Sequence, residues 1–353
     1  MAAEFWTMGV GLPRVGVRQA RAAEAAGWDG FLLVDSQNLA GDCYAELALA
    51  AAATTRIKLG TGVTNPYTRH PAVTASAAAT VQAESGGRMV LGIGRGDSSL
   101  AHLGLAPAPV EALATYVRQV RAFLAGEEVG FRAEHAAAPV DTLGLAGQPA
   151  ASSLRWLRPD QPLVPVDVYG TGPKVLALAG AVADRATMAV GADPARVSWA
   201  LEVIRAAGAE AGRPDPAAGA GACVNVVCHD DPAVAFRLAS GGLASFARFS
   251  VMHGRATGPL SAEQREVLEG VHRAYDMNRH TLAAGPQAEA LSEDFARTYA
   301  ILGPPSYCVE RLGALTELGV TRFVVIGPSA DAGRDEARAA VERLVGEVLP
   351  ALR

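Results

Sequence analysis

Residues suited to chemistry gather where the short apolar runs of this chain stop. Five segments stand out: Gly11; Asp35-Ser36-Gln37-Asn38; Gly60-Thr61-Gly62-Val63-Thr64-Asn65-Pro66; Gly92-Ile93-Gly94-Arg95-Gly96-Asp97; and Tyr169-Gly170-Thr171-Gly172-Pro173-Lys174. Asp97 is the carboxylate of the fourth segment. Such a group serves as general acid or base or holds a substrate amine; an Asp at that place also caps the turn after Gly96. His70, just before Pro71, suits proton transfer or phosphate binding, and equally a solvent-facing loop. The recurring glycines either admit a flat ligand close to the backbone or simply turn the chain. Gly172-Pro173-Lys174 opens a helix, whose free amides and dipole attract an anion and to which Lys174 adds charge. A plain helix start is the other reading.

Other chemistries are disfavoured. Cys43, Cys223, Cys228 and Cys308 form no Cys-x-x-Cys pair and read as buried thiols in a reducing cytoplasm. His229, His253, His272 and His280 lack metal-ligand spacing. His272 and Asp276, one turn apart, read as a helix-surface pair, and Met277–His280 as the end of a lid facing cleft or solvent. No Walker loop is present, and Gly92–Asp97 is Gly-x-Gly-x-Gly-x rather than a dinucleotide fingerprint. The net charge is −5, without the basic stripe that nucleic acid requires. No apolar run reaches the roughly 20 residues of a membrane span, and Met1–Phe5 has no signal-peptide pattern, so a cytoplasmic protein is expected.

The elements that must position these residues follow from periodicity. Val- and Ile-rich runs alternate with Ala/Leu-rich segments of helical period. Strands are expected at Phe5–Leu12, Gly30–Val34, Ile57–Asn65, Met89–Gly94, Val164–Tyr169, Ala186–Val190, Ala222–Cys228 and Phe323–Ile326. Helices are expected at Val15–Ala26, Tyr44–Ala53, Pro71–Glu84, Val110–Leu124, Pro173–Ala181, Pro194–Ala211, Pro232–Phe246 and Asp335–Val348. This is an α/β chain: a (β/α)8 TIM barrel, one domain over residues 1–353, with its site at the strand C-termini. An open doubly wound sheet is the runner-up, but Pro13 spoils the phosphate turn it needs after the first strand. Gly126–Gln161, with Pro139 inside it, and Phe249–Leu302, with the helical run Ala262–Asn278, read as insertions over the mouth, serving as lids or oligomer contacts.

Gly60–Ser76, with Ser85-Gly86-Gly87-Arg88, Leu91–Asp97 and Gly170–Lys174, resembles the bacterial-luciferase-like superfamily. The likeness is greatest to the branch holding the coenzyme F420-dependent methylenetetrahydromethanopterin reductases. It spans nearly the whole chain and is weakest in the insertions. The resemblance implies a bulge with a non-prolyl cis peptide at Gly62–Val63 that backs a deazaflavin ring. It puts Asp35, Ser36, Gly94 and Asp97 beside that ring, with Thr64, Asn65 and Gly96 in the same cradle. Tyr169, Gly170, Thr171, Gly172, Pro173 and Lys174 would lie near the cofactor's phosphate or side chain. Two departures stand out. Phe5–Gly11 has no carboxylate where the reductases carry a Glu, and Ser36 follows Asp35 where many relatives have His.

The expectation is therefore an F420-dependent hydride-transfer enzyme acting on a small molecule other than a tetrahydropterin. Asp97 stands nearest the transferred proton, with His70 and Ser36 behind it. An FMN-dependent monooxygenase, a non-catalytic flavin binder and a cofactor-free lyase or isomerase are the alternatives. A homodimer with no resident metal, no nucleic-acid partner and no membrane contact completes the expectation.

Overall fold

Helix starts in this chain are written by proline and by short polar caps. The computed structural model describes residues 3–131, 140–217, 219–251 and 254–353; Pro139 and His253 lie outside them. Helices α1 (Val15–Ala25), α2 (Cys43–Ala53), α3 (Pro71–Glu84), α4 (Val110–Leu124), α5 (Pro173–Val182), α6 (Pro194–Glu210) and α7 (Pro232–Phe249) follow in order, and α8 (Arg334–Arg343) comes near the C-terminus. Four of them carry proline in the first turn, behind His70, Gly172, Asp193 and Asp231. Proline lacks a donor that would go unused there, while Asp193 and Asp231 accept from exposed first-turn amides.

Eight parallel strands alternate with these helices: β1 (Glu4–Gly9), β2 (Gly30–Leu33), β3 (Lys58–Thr61), β4 (Met89–Ile93), β5 (Val166–Gly170), β6 (Arg185–Met188), β7 (Gly221–Cys228) and β8 (Arg322–Ile326). β7 pairs with both β6 and β8, and β8 pairs with β1, so the sheet closes. The expected (β/α)8 barrel is thus observed. Its register sets Gly9, Leu33 and Thr61 level, so the segments that follow them leave from one rim.

Side-chain alternation sorts the core. Trp6, Leu32, Val90, Ala189, Cys223 and Val324 fill the interior, while Phe5, Phe31, Leu33, Leu59, Met89 and Leu91 pack outward with the helices. Polar residues plug the end opposite the rim. The Arg322 guanidinium lies 2.6 Å from Asp167 Oδ2, and Thr187 Oγ1 donates to the same carboxylate at 2.9 Å. Both ions are buried, and each needs the other to offset lost hydration.

Two expectations are corrected. The helix after β7 is not an outer barrel helix. α7 joins a second apolar cluster with helices Ala262–Arg273 and Glu293–Tyr299. The outer position between β7 and β8 belongs to Pro305–Glu317, which buries Cys308, Leu312 and Leu315 in the main core. A short strand, Ile301–Gly303, precedes it and pairs with Val226–Cys228. At three residues that strand falls below any periodicity signal. The run expected as helix through Asn278 stops at Arg273, and Met277–Arg279 is a separate 3-10 turn. Within the first insertion, Val129–Gly130 pairs antiparallel with Ala151–Ser152. Among the described residues no helix is long and apolar enough to cross a membrane.

Candidate active site

The expected third strand to Asn65 is regular only to Thr61. Gly62–Val63 is a cis peptide, and the chain rejoins β4 at a Thr64–Ile93 bridge. The Thr64 amide donates to Gly92 O at 2.9 Å, and the Gly94 amide to Thr64 O at 2.9 Å. This loop explains the rim glycines. A Cβ on Gly94 would lie 2.9 Å from Val63 Cγ2, and one on Gly92 only 2.2 Å from Thr61 O. Both contacts are closer than real Cβ atoms tolerate, so these glycines make room for the bulge itself. Gly96 has φ +73°, a left-handed turn that favours glycine. Asn65 is buried and accepts from the Tyr67 and Thr68 amides at 3.0 and 3.1 Å, shaping the loop.

On the β2 side, Asp35 is buried and ion-paired to Arg69 at 2.6 Å; Gln37 Nε2 donates to it at 2.7 Å. Arg69 also meets Asp42 at 2.8 Å and lies over the Tyr44 ring, 4.9 Å from its centroid. Although burial opposes the charged form, the Asp35 and Asp42 carboxylates raise the Arg69 pKa above its usual value. Asp35 is therefore a rigid anchor. Ser36 is half-buried, and its carbonyl accepts from Leu39 and Ala40 amides at 3.1 and 3.0 Å. His70 is exposed and caps α3, its Nδ1 accepting from the Ala72 amide at 3.2 Å. That engagement with its own helix is the finding for a residue expected near proton transfer.

On the β5 side, Tyr169 lies against the barrel interior near Gly92. Burial, and then the nearby Asp167 charge, push its hydroxyl pKa well up. A Cβ on Gly170 would stand 3.1 Å from Val175 Cγ1, so this glycine lets α5 approach its strand. Thr171 Oγ1 donates to Phe249 O at 2.8 Å and ties the rim to α7. Gly172 is half-buried, and a Cβ there would only touch Thr257 Oγ1, at 3.8 Å. Pro173 and Lys174 are exposed beside it.

Asp97 does not cap the short helix that follows it. Its side chain forms an ion pair with Arg248 of α7. The Arg248 guanidinium lies 4.4 Å from the centroid of Tyr275. The Tyr275 hydroxyl donates to Ser245 Oγ at 3.0 Å and is 2.5 Å from His280 Nδ1. Burial, then the Arg248 charge, then His102 depress the His280 pKa from 6.5 to about 4, so the ring is neutral near pH 7. At its last residue the Met277–His280 turn packs on Tyr275. Arg69 stood in the sequence only as one residue of the Gly60–Ser76 segment, with no role assigned to it. Arg248 and Tyr275 carried no sequence signal, because Arg248 meets Asp97 from 151 positions away.

Several buried polar atoms around this mouth have no hydrogen-bond partner: Gln37 Oε1, Thr64 Oγ1, His102 Nε2, Asn225 Nδ2 and Arg248 Nε. They are too costly to leave dry and suit a polar, planar ligand. The open α5 N-terminus with Lys174 suits its anionic tail. The residues therefore fit a deazaflavin or flavin cofactor. Among the described residues no group of His, Cys, Asp and Glu is placed to hold a metal ion.

Comparison with known proteins agrees. Residues 8–322 match the family model for luciferase-like monooxygenases. A 5,10-methylenetetrahydromethanopterin reductase of Methanolobus tindarius is 30% identical over 88% of this chain and 90% of its own. An F420-dependent glucose-6-phosphate dehydrogenase of Beutenbergia cavernae is 30% identical over 94% of this chain and 91% of its own. The solved structure of the coenzyme F420-dependent tetrahydromethanopterin reductase from Methanopyrus kandleri superposes with a TM-score of 0.74 at 23% identity. It covers 100% of this chain and 99% of that one.

Proposed function

We propose that this chain, which belongs to the luciferase-like monooxygenase family, is an oxidoreductase that moves hydride between coenzyme F420 and a small organic substrate. The carrying observation is the cradle: the Val63 bulge seated against Gly92 and Gly94, on the same rim as the α5 N-terminus at Gly172. The coenzyme supplies the redox chemistry when bound. The chain's own residues do the rest. Gly62, Val63 and Thr64 back the ring, with Gly94 and Gly96 beneath them. The Gly172 and Lys174 amides and the Lys174 ammonium hold an anionic side chain. The Asp35–Arg69 and Asp97–Arg248 pairs brace the two sides of the mouth.

The substrate reading follows from what lines the entrance. Val10, Leu12, Leu39, Tyr67, Leu103 and Leu105 are exposed on the loops after β1 to β4. Such a ring receives a molecule with an apolar body and displaces water from it. β1 itself carries no carboxylate at its mouth end; the one beside it is Glu46 of α2, buried against Gly11 and Gly16. Glu4 begins the strand at the opposite end, bonded to Lys58. That departure argues against a tetrahydropterin substrate.

The proposed setting is the cytoplasm, and the proposed assembly a homodimer, for which Leu143, Leu145 and Trp156 on the first insertion offer exposed apolar surface. Fluorescence titration of the apoprotein with F420 and with FMN tests the reading. Quenching saturating with F420 is expected. Tight binding of FMN alone would overturn it in favour of a monooxygenase.

A further inference from the structure

We propose that Glu46 is a substrate-recognition group of the mouth and receives a cationic nitrogen, which makes small amines with an apolar body the substrate class. The inference rests on the hydride-transfer reading above.

Glycines fix the place of this side chain. Glu46 lies in the first turn of α2 and reaches the loop after β1 and the first turn of α1. A Cβ on Gly11 would stand 3.4 Å from Glu46 Cγ, and one on Gly16 only 2.6 Å from Glu46 Oε2. The loop after β2 is tied to the same spot, because the Gly41 amide donates to Gly11 O at 2.6 Å. The loop after β1 also adjoins the cofactor cradle. Met8 of β1 touches the bulge, where a Cβ on Gly62 would lie 2.8 Å from Met8 Cε, and Gly11 follows Met8 by three residues.

What Glu46 lacks points to its ligand. The residue is 6% exposed, and Oε2 is sealed from solvent without a hydrogen-bond partner. The carboxylates Asp35 and Asp97 are each engaged by a guanidinium, Arg69 and Arg248. Among the described residues Glu46 meets no such cation. The α2 dipole favours an anion in that turn but supplies neither a hydrogen bond nor a counter-charge. A buried, unpartnered carboxylate oxygen is costly, and a charged N–H donor offsets that cost best.

The surroundings supply the rest of the ligand's chemistry. Val10 and Leu12 flank Gly11 and are 42% and 44% exposed; Leu39, two residues before Gly41, is 43% exposed. These side chains take up hydrocarbon beside the charge. The mouth is also polarised. The α5 N-terminus with Lys174 follows β5, while Glu46 stands by the loop after β1, on the opposite side of the closed eight-strand barrel. The positive side suits the anionic side chain of the coenzyme. The negative side repels that chain and attracts a cation, so the two ligands are sorted by charge.

The test uses the full-length protein, with and without F420, and three probes that share one ring: cyclohexylamine, cyclohexanol and cyclohexanecarboxylate. Calorimetric titration at pH 7 reads their affinities. Wild type is expected to bind the ammonium about 30-fold or more tighter than the alcohol, the usual worth of a desolvated charge pair, and to reject the carboxylate. Glu46→Gln keeps the shape and removes the charge, so the preference for the amine should vanish while F420 affinity, read by quenching, stays. Gly16→Ala sets a methyl group against Oε2 and should weaken amine binding as well. A Glu46→Gln protein that keeps the amine preference overturns the assignment. Should that variant fail to fold, amine binding unchanged in Gly16→Ala overturns it instead. Wild type that binds F420 but shows no preference for the amine overturns this inference and leaves the cofactor reading standing. Glu46-dependent amine binding in a protein that takes no F420 upholds the recognition site and overturns the cofactor reading alone.

Discussion

Arg248 near the end of α7 forms an ion pair with Asp97, which follows β4, and so joins α7 to the barrel rim. The pair is largely buried, with side-chain exposures of 9% and 16%. It replaces a local role for Asp97 with a long-range one.

Removing one member should therefore cost more than removing both. Arg248→Met leaves the Asp97 carboxylate buried without its counter-charge and should destabilise by about 3 kcal/mol, as for other broken buried pairs. Adding Asp97→Leu to it should return part of that loss. Urea denaturation of the two variants measures the difference. Equal stability of single and double variants would contradict the pairing.

Stability should also depend on pH through His280. Its folded pKa, about 4, lies below the ordinary 6.5, so the unfolded chain takes up this proton first. The contribution is fully present above pH 6.5 and is lost as pH falls towards 4. At most about 3 kcal/mol is involved, from 1.36 kcal/mol per unit. Thermal melting of wild type and His280→Gln between these pH values checks the sign: the variant should lose less stability on acidification.

Gly94→Ala should unseat the bulge, because its Cβ would stand 2.9 Å from Val63 Cγ2. Overpacking of this kind costs about 1–3 kcal/mol. F420 affinity, read by fluorescence quenching, should fall with it. The pair Gly94→Ala with Val63→Ala should recover affinity, because the clash is with the valine's methyl group.

Lys174→Ala should weaken F420 binding several-fold while leaving melting unchanged, since Lys174 is exposed at the start of α5. The loss should shrink as salt rises, because an exposed charge is screened within about 8 Å at physiological ionic strength. An affinity indifferent to both changes would remove the anion from this helix end.

The barrel was legible because its signals are local. The chain stops, Pro71, Pro173, Pro194 and Pro232, set the helix starts, and Val/Ile runs set the strands. Ile301–Gly303 escaped because three residues cannot display a period, and the place of α7 escaped because an apolar stripe does not say which surface it meets. Site residues divided the same way. Gly92, Gly94 and Gly172 were visible as glycines, but Gly92 and Gly94 are required by close neighbours, while a Cβ at Gly172 would meet only Thr257 at ordinary contact distance.

By itself, then, the sequence determined the eight-strand alternation, the rim segments and the bulge at Gly62–Val63, the last through resemblance over a contiguous motif. Only the tertiary structure decided what those segments touch. Asp35 meets Arg69, 34 positions on, and Asp97 meets Arg248, 151 positions on. The physical reason is that hydrogen bonding along a helix or strand couples neighbours in sequence. A buried charge instead takes whatever opposite charge the closed barrel brings within reach, and no local pattern records that choice.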